Sequence, residues 1–254
     1  MTMPLFVVED YDNNFKLTLQ KLKAMLRIQN TLNQKVNSDW KNAGYPWRDA
    51  IMVEAVELFD HLQWKWWKKP GPVDWGQVRM EAVDIWHFLL SEALEELDTI
   101  DLDKESNVSY LNEMADNFYI LSVNQDKENI NVPLLKVYVK DLIGGSAHNH
   151  NFQELLSLFA GIIEELGMSF DDLYKSYIGK TKLNEFRWAN GYGGQYVKDW
   201  SMGASKSLED NQYLTTVLDS LDVNDPNFPE QVTVALTCKY YKVELYNRGV
   251  VYKK

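Results

Sequence analysis

Residues 51–62 read IMVEAVELFDHL, and residues 78–90 read VRMEAVDIWHFLL. In both stretches apolar residues recur every three or four positions, which is the spacing of one face of an α-helix. Each stretch also contains two acidic residues three positions apart, and such residues share one helix face. We therefore predict two helices that each project a pair of carboxylates to one side. The four residues are Glu54, Glu57, Glu81 and Asp84.

The segment between the two stretches contains Pro70-Gly71-Pro72, which allows the chain to turn and the two helices to pack antiparallel. Four carboxylates that meet inside a bundle repel one another unless cations neutralise them. Mg²⁺ suits such a site because it prefers oxygen ligands and is often shared with substrate phosphates. We expect Mg²⁺, with two or more ions per site, and metal-assisted attack on phosphorus. A solvated acidic face is the alternative explanation of either pair alone.

The rest of the chain up to about residue 200 also favours helices. Apolar residues recur at helical spacing from Phe15 to Leu32, and no proline or glycine occurs in residues 14–43. Further helices are predicted over residues 152–165 and 170–189. Residues 108–150 are expected to hold one or two helices, with irregular chain around Pro133 and Gly144-Gly145.

The C-terminal part of the chain has a different pattern. Val232, Val234, Leu236, Cys238 and Tyr240 alternate with polar or small residues, which is the period of a β-strand. A turn at residues 247–249 and the apolar residues 250–252 complete a predicted β-hairpin. We therefore predict an all-α domain over residues 1–202 and an extension over residues 203–254, in which residues 203–229 connect the hairpin.

Composition limits the classes of function. The 254 residues carry a net charge of -11, which disfavours nucleic acid and anionic membranes as general partners. No stretch approaches the roughly 18 apolar residues of a membrane span. The single cysteine, Cys238, excludes an intramolecular disulfide, and the N-terminal residues do not resemble a secretory signal. A cytoplasmic location is expected.

An acidic chain that acts on nucleotides needs a local group of cations for the phosphates. Residues 180–198 supply one, with a cation, an amide and a guanidinium on one predicted helix face, followed by phenols and a lysine in a loop containing glycine. Such groups bind phosphate oxygens well. The candidates are Lys180, Asn184, Arg187, Tyr192, Tyr196 and Lys198. A solvated basic helix end is the alternative explanation.

Other polar and aromatic residues are candidates for contact with a base. Gln29 and Asn33 lie four positions apart on the first helix, and their amides offer both donors and acceptors. Trp47, just before the second helix, could stack on a base or belong to the core. His61 and His87 follow the acidic pairs and are interpreted as packing residues or as partners of the carboxylates.

Taken together, these motifs resemble the dimeric dUTPase family, within the all-α NTP pyrophosphatase (MazG-like) superfamily. The resemblance rests on both acidic pairs with their flanking residues, on Arg27 to Asn33, on Pro46-Trp47-Arg48, on Trp64 to Lys68 and on Asn190-Gly191-Tyr192. It covers about residues 15–200. The chain departs from the family pattern at Gly193-Gly194, where a lysine and an acidic residue are expected, and in residues 203–254.

The resemblance implies a helical homodimer that hydrolyses dUTP, and also dUDP, with Mg²⁺. It implies that the four carboxylates bind the metal and that Glu54 also serves as the general base. Gln29, Asn33 and Trp47 would form the base site, and the six candidates between residues 180 and 198 would hold the phosphates. Three alternatives stay open: a pyrophosphohydrolase that prefers dCTP or several pyrimidine nucleotides, a di-iron carboxylate bundle, and a non-enzymatic scaffold.

Overall fold

The computed structural model describes residues 5–69, 71–97, 99–123, 130–203 and 207–247. Within these ranges the regular elements are all helical, as the sequence predicts for the chain up to about residue 200. The chain divides into two compact units, Met1–Tyr174 and Lys175–Lys254. The predicted domain boundary after residue 202 rests on the change in hydrophobic pattern rather than on compactness, and it stays a prediction.

The helices follow one another along the chain. They are α1 (Leu5–Val36), α2 (Trp47–His61), α3 (Trp75–Glu96), α4 (Glu105–Val123), α5 (Val132–Ala147), α6 (Phe152–Glu165), α7 (Phe170–Ala189), α8 (Asp210–Asp219) and α9 (Phe228–Asn247), with one 3₁₀ turn at Trp40–Asn42. The helices predicted over residues 152–165 and 170–189 have these bounds. Residues 108–150 contribute most of two helices, and Gly144-Gly145 lies inside α5 rather than in irregular chain.

The first unit is built around α3, most of whose residues are buried. This helix packs against α1, α2 and α6, and α2 packs against α5. Trp86 is fully buried on α3, with its ring stacked on Phe159 at 5.4 Å and edge-on to Phe118 at 4.9 Å. Aromatic contacts of this kind fix the rotation of α3 about its axis. That rotation determines which side chains face α2 and which face α1.

Local sequence sets the ends of the helices that carry the acidic residues. Gly44 has φ +64°, a conformation that glycine adopts readily, and Pro46 is the N-cap of α2. Asp74 caps α3, because its carboxylate accepts a hydrogen bond from the Gln77 backbone N–H at 3.2 Å. At the start of α7, Ser169 Oγ accepts from the Asp172 N–H at 3.0 Å.

The second unit consists of the later part of α7 together with α8 and α9, and α8 packs against α9. Its core is aromatic. The Tyr240 ring stacks on Tyr196 at 5.6 Å and contacts Trp200 at 5.8 Å and Phe186 at 5.3 Å. Backbone hydrogen bonds also pair the loop after α7 with the segment before α8, from Trp200 N–H to Leu208 O at 2.7 Å and from Asp210 N–H to Lys198 O at 2.9 Å.

The predicted strand at residues 232–240 is wrong, since these residues lie in α9. The alternating residues also contain a helical stripe: Phe228, Val232, Leu236 and Tyr240 are spaced by four and are buried. Val234 has the strand spacing but is 51% exposed. The helical period therefore matches the burial, whereas the period of two does not. The second half of the predicted hairpin, residues 250–252, lies outside the described residues.

The predicted connector at residues 203–229 is also not irregular throughout, because α8 lies within it. Glu209 precedes α8 and forms a capping box with Gln212, which explains why a helix begins in this polar segment. Of the helices in the described part of the chain, none is both long and apolar enough to cross a bilayer.

Candidate active site

Three carboxylates from two adjacent helices converge in the first unit. Glu54 and Glu57 lie on α2 and Glu81 lies on α3, and each offers an oxygen within 4.8 Å of the others. Their surroundings differ: Glu81 is buried, Glu54 is half-buried and Glu57 is exposed. The cluster therefore reaches from the α2–α3 interface to the surface, rather than facing only inward as predicted.

Asp84, the fourth predicted ligand, lies one turn beyond Glu81 on α3 and outside this cluster. His61, at the end of α2, adds a contact of another kind, because its Nε2 lies 3.4 Å from Glu81 Oε1. The hydrogen bond to Glu81 raises the pKa of His61, against the opposing effect of burial. The histidine thus contacts the most buried carboxylate of the cluster.

Gln29 and Asn33 lie on the face of α1 that packs against α3, and both are buried. The Gln29 amide donates to Asn33 Oδ1 at 2.9 Å, and its Oε1 lies 2.8 Å from His87 Nδ1. Both amides also donate to Ser91 Oγ, at 3.0 and 3.1 Å. The two predicted base-site residues thus belong to a polar network with two side chains of α3.

Trp47 begins α2 among other aromatic rings. Its ring contacts those of Tyr45, Trp40 and Phe88, with centroids 5.3, 6.1 and 6.3 Å away. Its Nε1–H is buried and has no hydrogen-bond partner among the described residues. A buried indole N–H without an acceptor costs free energy, so it is a candidate donor for a ligand carbonyl.

The predicted phosphate-binding residues form a network within the second unit. Arg187 donates to both oxygens of Asp210, at 2.9 and 2.7 Å, and the Tyr196 hydroxyl donates to the same carboxylate at 2.7 Å. Asp210 is fully buried and Arg187 nearly so. Burial lowers the pKa of Arg187, but the hydrogen bonds to Asp210 and the negative charge of this carboxylate together outweigh burial and raise the pKa. The guanidinium charge is therefore already neutralised by a carboxylate.

The remaining predicted phosphate contacts differ in exposure. Lys180 is buried and donates to Asn211 Oδ1 at 3.2 Å, and Asn184 Oδ1 lies 3.4 Å from Arg187 Nη1. Lys198 is exposed, with its Nζ 5.5 Å from the centroid of the half-exposed Tyr192 ring. These two are the candidates most open to a ligand from solvent.

Two residues at these sites carry no sequence signal strong enough to select them. Ser91 is one serine in an apolar helix, and only the helical spacing of four from His87 connects it to the network. Asp210 lies in a polar segment beyond every motif that the sequence offers. Ser91 and Asp210 are identified only by their contacts with residues far away in the sequence.

Comparison with known families gives one match: a family model described as dUTPase matches residues 21–192. The match covers well over half of the chain and includes both acidic pairs, Gln29, Asn33 and Trp47. It ends at Tyr192, before Tyr196, Lys198, α8 and α9. A comparison with curated proteins finds no match.

Proposed function

The chain belongs to the dUTPase family and is a dUTP diphosphatase, and we propose that it hydrolyses dUTP to dUMP and pyrophosphate with Mg²⁺ bound at the glutamate cluster. The observation that carries the proposal is the convergence of oxygens from Glu54, Glu57 and Glu81 within 4.8 Å. The family match favours this reaction over a di-iron bundle or a scaffold. We also propose dUDP as a second substrate, giving dUMP and phosphate.

The donor set fits Mg²⁺. All three groups are carboxylates, the hard oxygen ligands that this ion prefers, and their repulsion would be relieved by a divalent cation. We assign Asp84 as a fourth ligand, one helical turn from Glu81, and two or more ions to the site. When bound, Mg²⁺ would offset the negative charge that gathers on the phosphate oxygens during attack on phosphorus.

The half-buried Glu54 is proposed to orient the attacking water and to accept its proton. The more buried Glu81 contacts His61, and this contact supports a fixed position of its carboxylate. The exposed Glu57 is the member of the cluster most open to a substrate phosphate from solvent. The three glutamates would thus combine metal binding with general-base catalysis.

Gln29, Asn33 and Trp47 are proposed to bind the uracil base. The burial of both amides supports this role, because hydrogen bonds discriminate between bases most strongly where water cannot replace them. Trp47 adds a buried N–H without a partner, and uracil carries two carbonyl acceptors. Its ring also offers an apolar face for stacking.

The second unit is proposed to bind phosphate oxygens. Lys198 and Tyr192, which are open to solvent, are assigned direct contacts. Lys180, Asn184, Arg187 and Tyr196 complete the assignment. Arg187 and Tyr196 both hydrogen-bond to the buried Asp210, and they are assigned to the phosphate site together with this carboxylate, which holds them in position.

We further propose a homodimer in the cytoplasm, as the family resemblance and the single cysteine suggest. Light scattering coupled to size-exclusion chromatography tests the assembly. The expected mass is twice the 29.6 kDa of one chain, and a mass of one chain at micromolar concentration would refute the dimer.

Product analysis by ³¹P NMR tests the reaction itself. With Mg²⁺, dUTP should give pyrophosphate and dUMP without a dUDP intermediate, and dUDP should give inorganic phosphate. Stepwise release of single phosphates from dUTP would contradict the proposed reaction. Equal or faster turnover of dCTP would leave the metal chemistry in place and replace uracil selectivity by a preference for cytosine or for both bases.

A further inference from the structure

The polar network between α1 and α3 contains one hydroxyl at its centre. Ser91 Oγ lies within hydrogen-bonding distance of Gln29 Nε2, of Asn33 Nδ2 and of the His87 backbone carbonyl, the last at 2.9 Å. The serine is fully buried, and the three side chains around it are at most 8% exposed. Water therefore has little access to these hydrogen bonds, and the partners inside the protein determine their direction.

The direction of each bond follows from the backbone carbonyl, which can only accept. The single hydroxyl proton of Ser91 points to His87 O at 2.9 Å, a shorter contact than the 3.4 Å to Asn33 Oδ1. The lone pairs of Ser91 Oγ then face Gln29 and Asn33. Both amides must consequently turn their NH₂ groups toward the serine.

The orientation of the Gln29 amide determines whether it can donate or accept a hydrogen bond with a ligand. One of its N–H groups bonds to Ser91 Oγ at 3.0 Å and the other to Asn33 Oδ1 at 2.9 Å. Its Oε1 faces His87 Nδ1 at 2.8 Å, so that ring nitrogen carries the proton. With both N–H groups committed, the Gln29 amide can meet a further polar group only through its carbonyl oxygen, as an acceptor.

We propose that Ser91 is a positioning residue that sets selectivity for uracil over cytosine by holding the Gln29 amide in its acceptor orientation. This inference rests on the proposed role of Gln29 in the base site. N3 of uracil carries a proton and can donate to Oε1. N3 of cytosine is an acceptor, and in the same place it would face Oε1 with no proton between them.

Replacing the Ser91 hydroxyl removes the restriction of the Gln29 amide to its acceptor orientation. In Ser91→Ala one Gln29 N–H loses its acceptor, and the hydroxyl that orients both amides is gone. The Gln29 amide can then offer an N–H to N3 of cytosine. The expected consequence is a change in the ratio of kcat/KM for dUTP to that for dCTP, whereas a general loss of structure would lower both values by the same factor.

The experiment compares Ser91→Ala, Ser91→Cys and Ser146→Ala with the wild-type protein on both nucleotides, with Mg²⁺. Ser146 is the matched control because it is a buried serine of α5 whose hydroxyl has no hydrogen-bond partner among the described residues. Cysteine is close to serine in size and has a weak donor and acceptor, so this variant carries the test if the alanine variant does not fold.

We expect the dUTP to dCTP ratio to fall roughly tenfold in Ser91→Ala, through KM more than kcat, with Ser91→Cys intermediate and Ser146→Ala unchanged. A wild-type ratio in a folded Ser91 variant, or an equal loss on both nucleotides, would overturn the inference while leaving the proposed reaction intact. A wild-type protein that does not prefer dUTP would instead refute the proposed base site, and the role of Ser91 with it.

Discussion

Water reaches the three clustered glutamates to different degrees, and this difference bears on the roles that we propose for them. Glu81 is buried at the α2–α3 interface and Glu57 is exposed, with Glu54 between them in burial. A carboxylate that accepts a proton from water needs both contact with the substrate side and a fixed position. Glu54 satisfies both conditions best, since it is partly enclosed and lies in the middle turns of a helix that packs on α3 and α5.

Replacing Glu54 with glutamine should therefore lower kcat on dUTP much more than it lowers the affinity for the nucleotide. The amide keeps the shape of the side chain but cannot accept the proton, so we expect kcat on dUTP to fall at least about 100-fold. Isothermal titration with dUTP and Ca²⁺ should still detect nucleotide binding. Asp49→Asn, at an exposed site on the same helix, is the control and should retain wild-type kcat. Retention of wild-type kcat in Glu54→Gln would rule out the proposed base.

Glu92 on α3 provides a pH-dependent prediction away from the cluster. Burial raises its pKa, although Arg48, whose Nη2 lies 2.7 Å from Glu92 Oε1, opposes the shift. A carboxyl group with a raised pKa in the folded state holds its proton more tightly there than in the unfolded chain. Its ionisation therefore costs stability as the pH rises through the folded pKa, and the stability is fully present only below the unfolded pKa.

The substitution Glu92→Gln removes this cost. The unfolding free energy of the variant relative to wild type should therefore rise between about pH 4 and pH 7, whatever its value at pH 4. Urea unfolding at several pH values measures the difference. Glu164→Gln, at an exposed position of α6, is the comparison and should show a smaller change. A relative stability that stays flat or falls with pH would contradict the pKa direction.

Spacing alone identifies the three clustered glutamates, because an E-x-x-E or E-x-x-D step places two carboxylates on one face of an amphipathic helix. Spacing also selected Asp84, which lies outside the cluster. It could not select Ser91 or Asp210, whose partners lie far away in the sequence. Nor could it predict that Arg187 is already paired, since the charge of a side chain does not reveal its partner.

The apolar residues of α9 are compatible with the period of a helix and also with the period of a strand. Residues spaced by four belong both to a helical stripe and to every second position of a strand, so the alternation from Val232 to Tyr240 is compatible with either. The residues between the shared positions distinguish the two. Val234 and Cys238 are exposed, and Val243, which only the helix aligns with Tyr240, is buried.

A pair of alanine substitutions distinguishes helix from strand in solution. Leu236→Ala removes a fully buried side chain and should lower the unfolding free energy by about 2–5 kcal/mol. Val234→Ala is the matched control at an exposed position of the same helix and should change stability by less than about 1 kcal/mol. Thermal or urea unfolding followed by circular dichroism measures both. Comparable losses for the two variants would indicate a strand that buries both residues.

A second substitution tests the ion pair between α7 and the start of α8. Asp210→Asn removes the negative partner of the buried Arg187 and should destabilise the protein by about 3–5 kcal/mol. The exposed Asp219, at the end of α8, supplies the control Asp219→Asn, which should stay within about 0.5 kcal/mol of wild type. Equal stability of the two variants would mean that Asp210 contributes no ion pair in solution.

The helices that could be predicted are those whose apolar stripe and end signals agree. Residues 152–165 and α3, with Asp74 before it, are examples of this agreement. The sequence does not predict α8, because this helix is short and begins at a polar capping box rather than at an apolar stripe. The division of residues 108–150 into α4 and α5 likewise depends on packing against α1, α2 and α6.

On the scale of the whole chain, the family match and the compact units divide the sequence differently. The match runs from residue 21 to residue 192, past the end of the first unit at Tyr174, and it leaves out α8 and α9. Arg187 lies inside the matched range and Asp210 outside it, yet the two form a buried ion pair. A residue C-terminal to the matched range therefore forms an ion pair with a residue inside that range.

The net charge of -11 makes cations a requirement for an enzyme that must hold a triphosphate. The Mg²⁺ proposed at the glutamates would supply such positive charge. Removal of the metal should consequently abolish hydrolysis altogether.

The most direct test is the initial rate of pyrophosphate release from dUTP, dCTP, dTTP and UTP, measured with Mg²⁺ and again after addition of EDTA. We expect dUTP to be hydrolysed faster than the other three nucleotides, EDTA to stop the reaction, and excess Mg²⁺ to restore it. Hydrolysis of dUTP that continues unchanged in EDTA, or no pyrophosphate release from dUTP with Mg²⁺ present, would refute the proposed metal-dependent reaction.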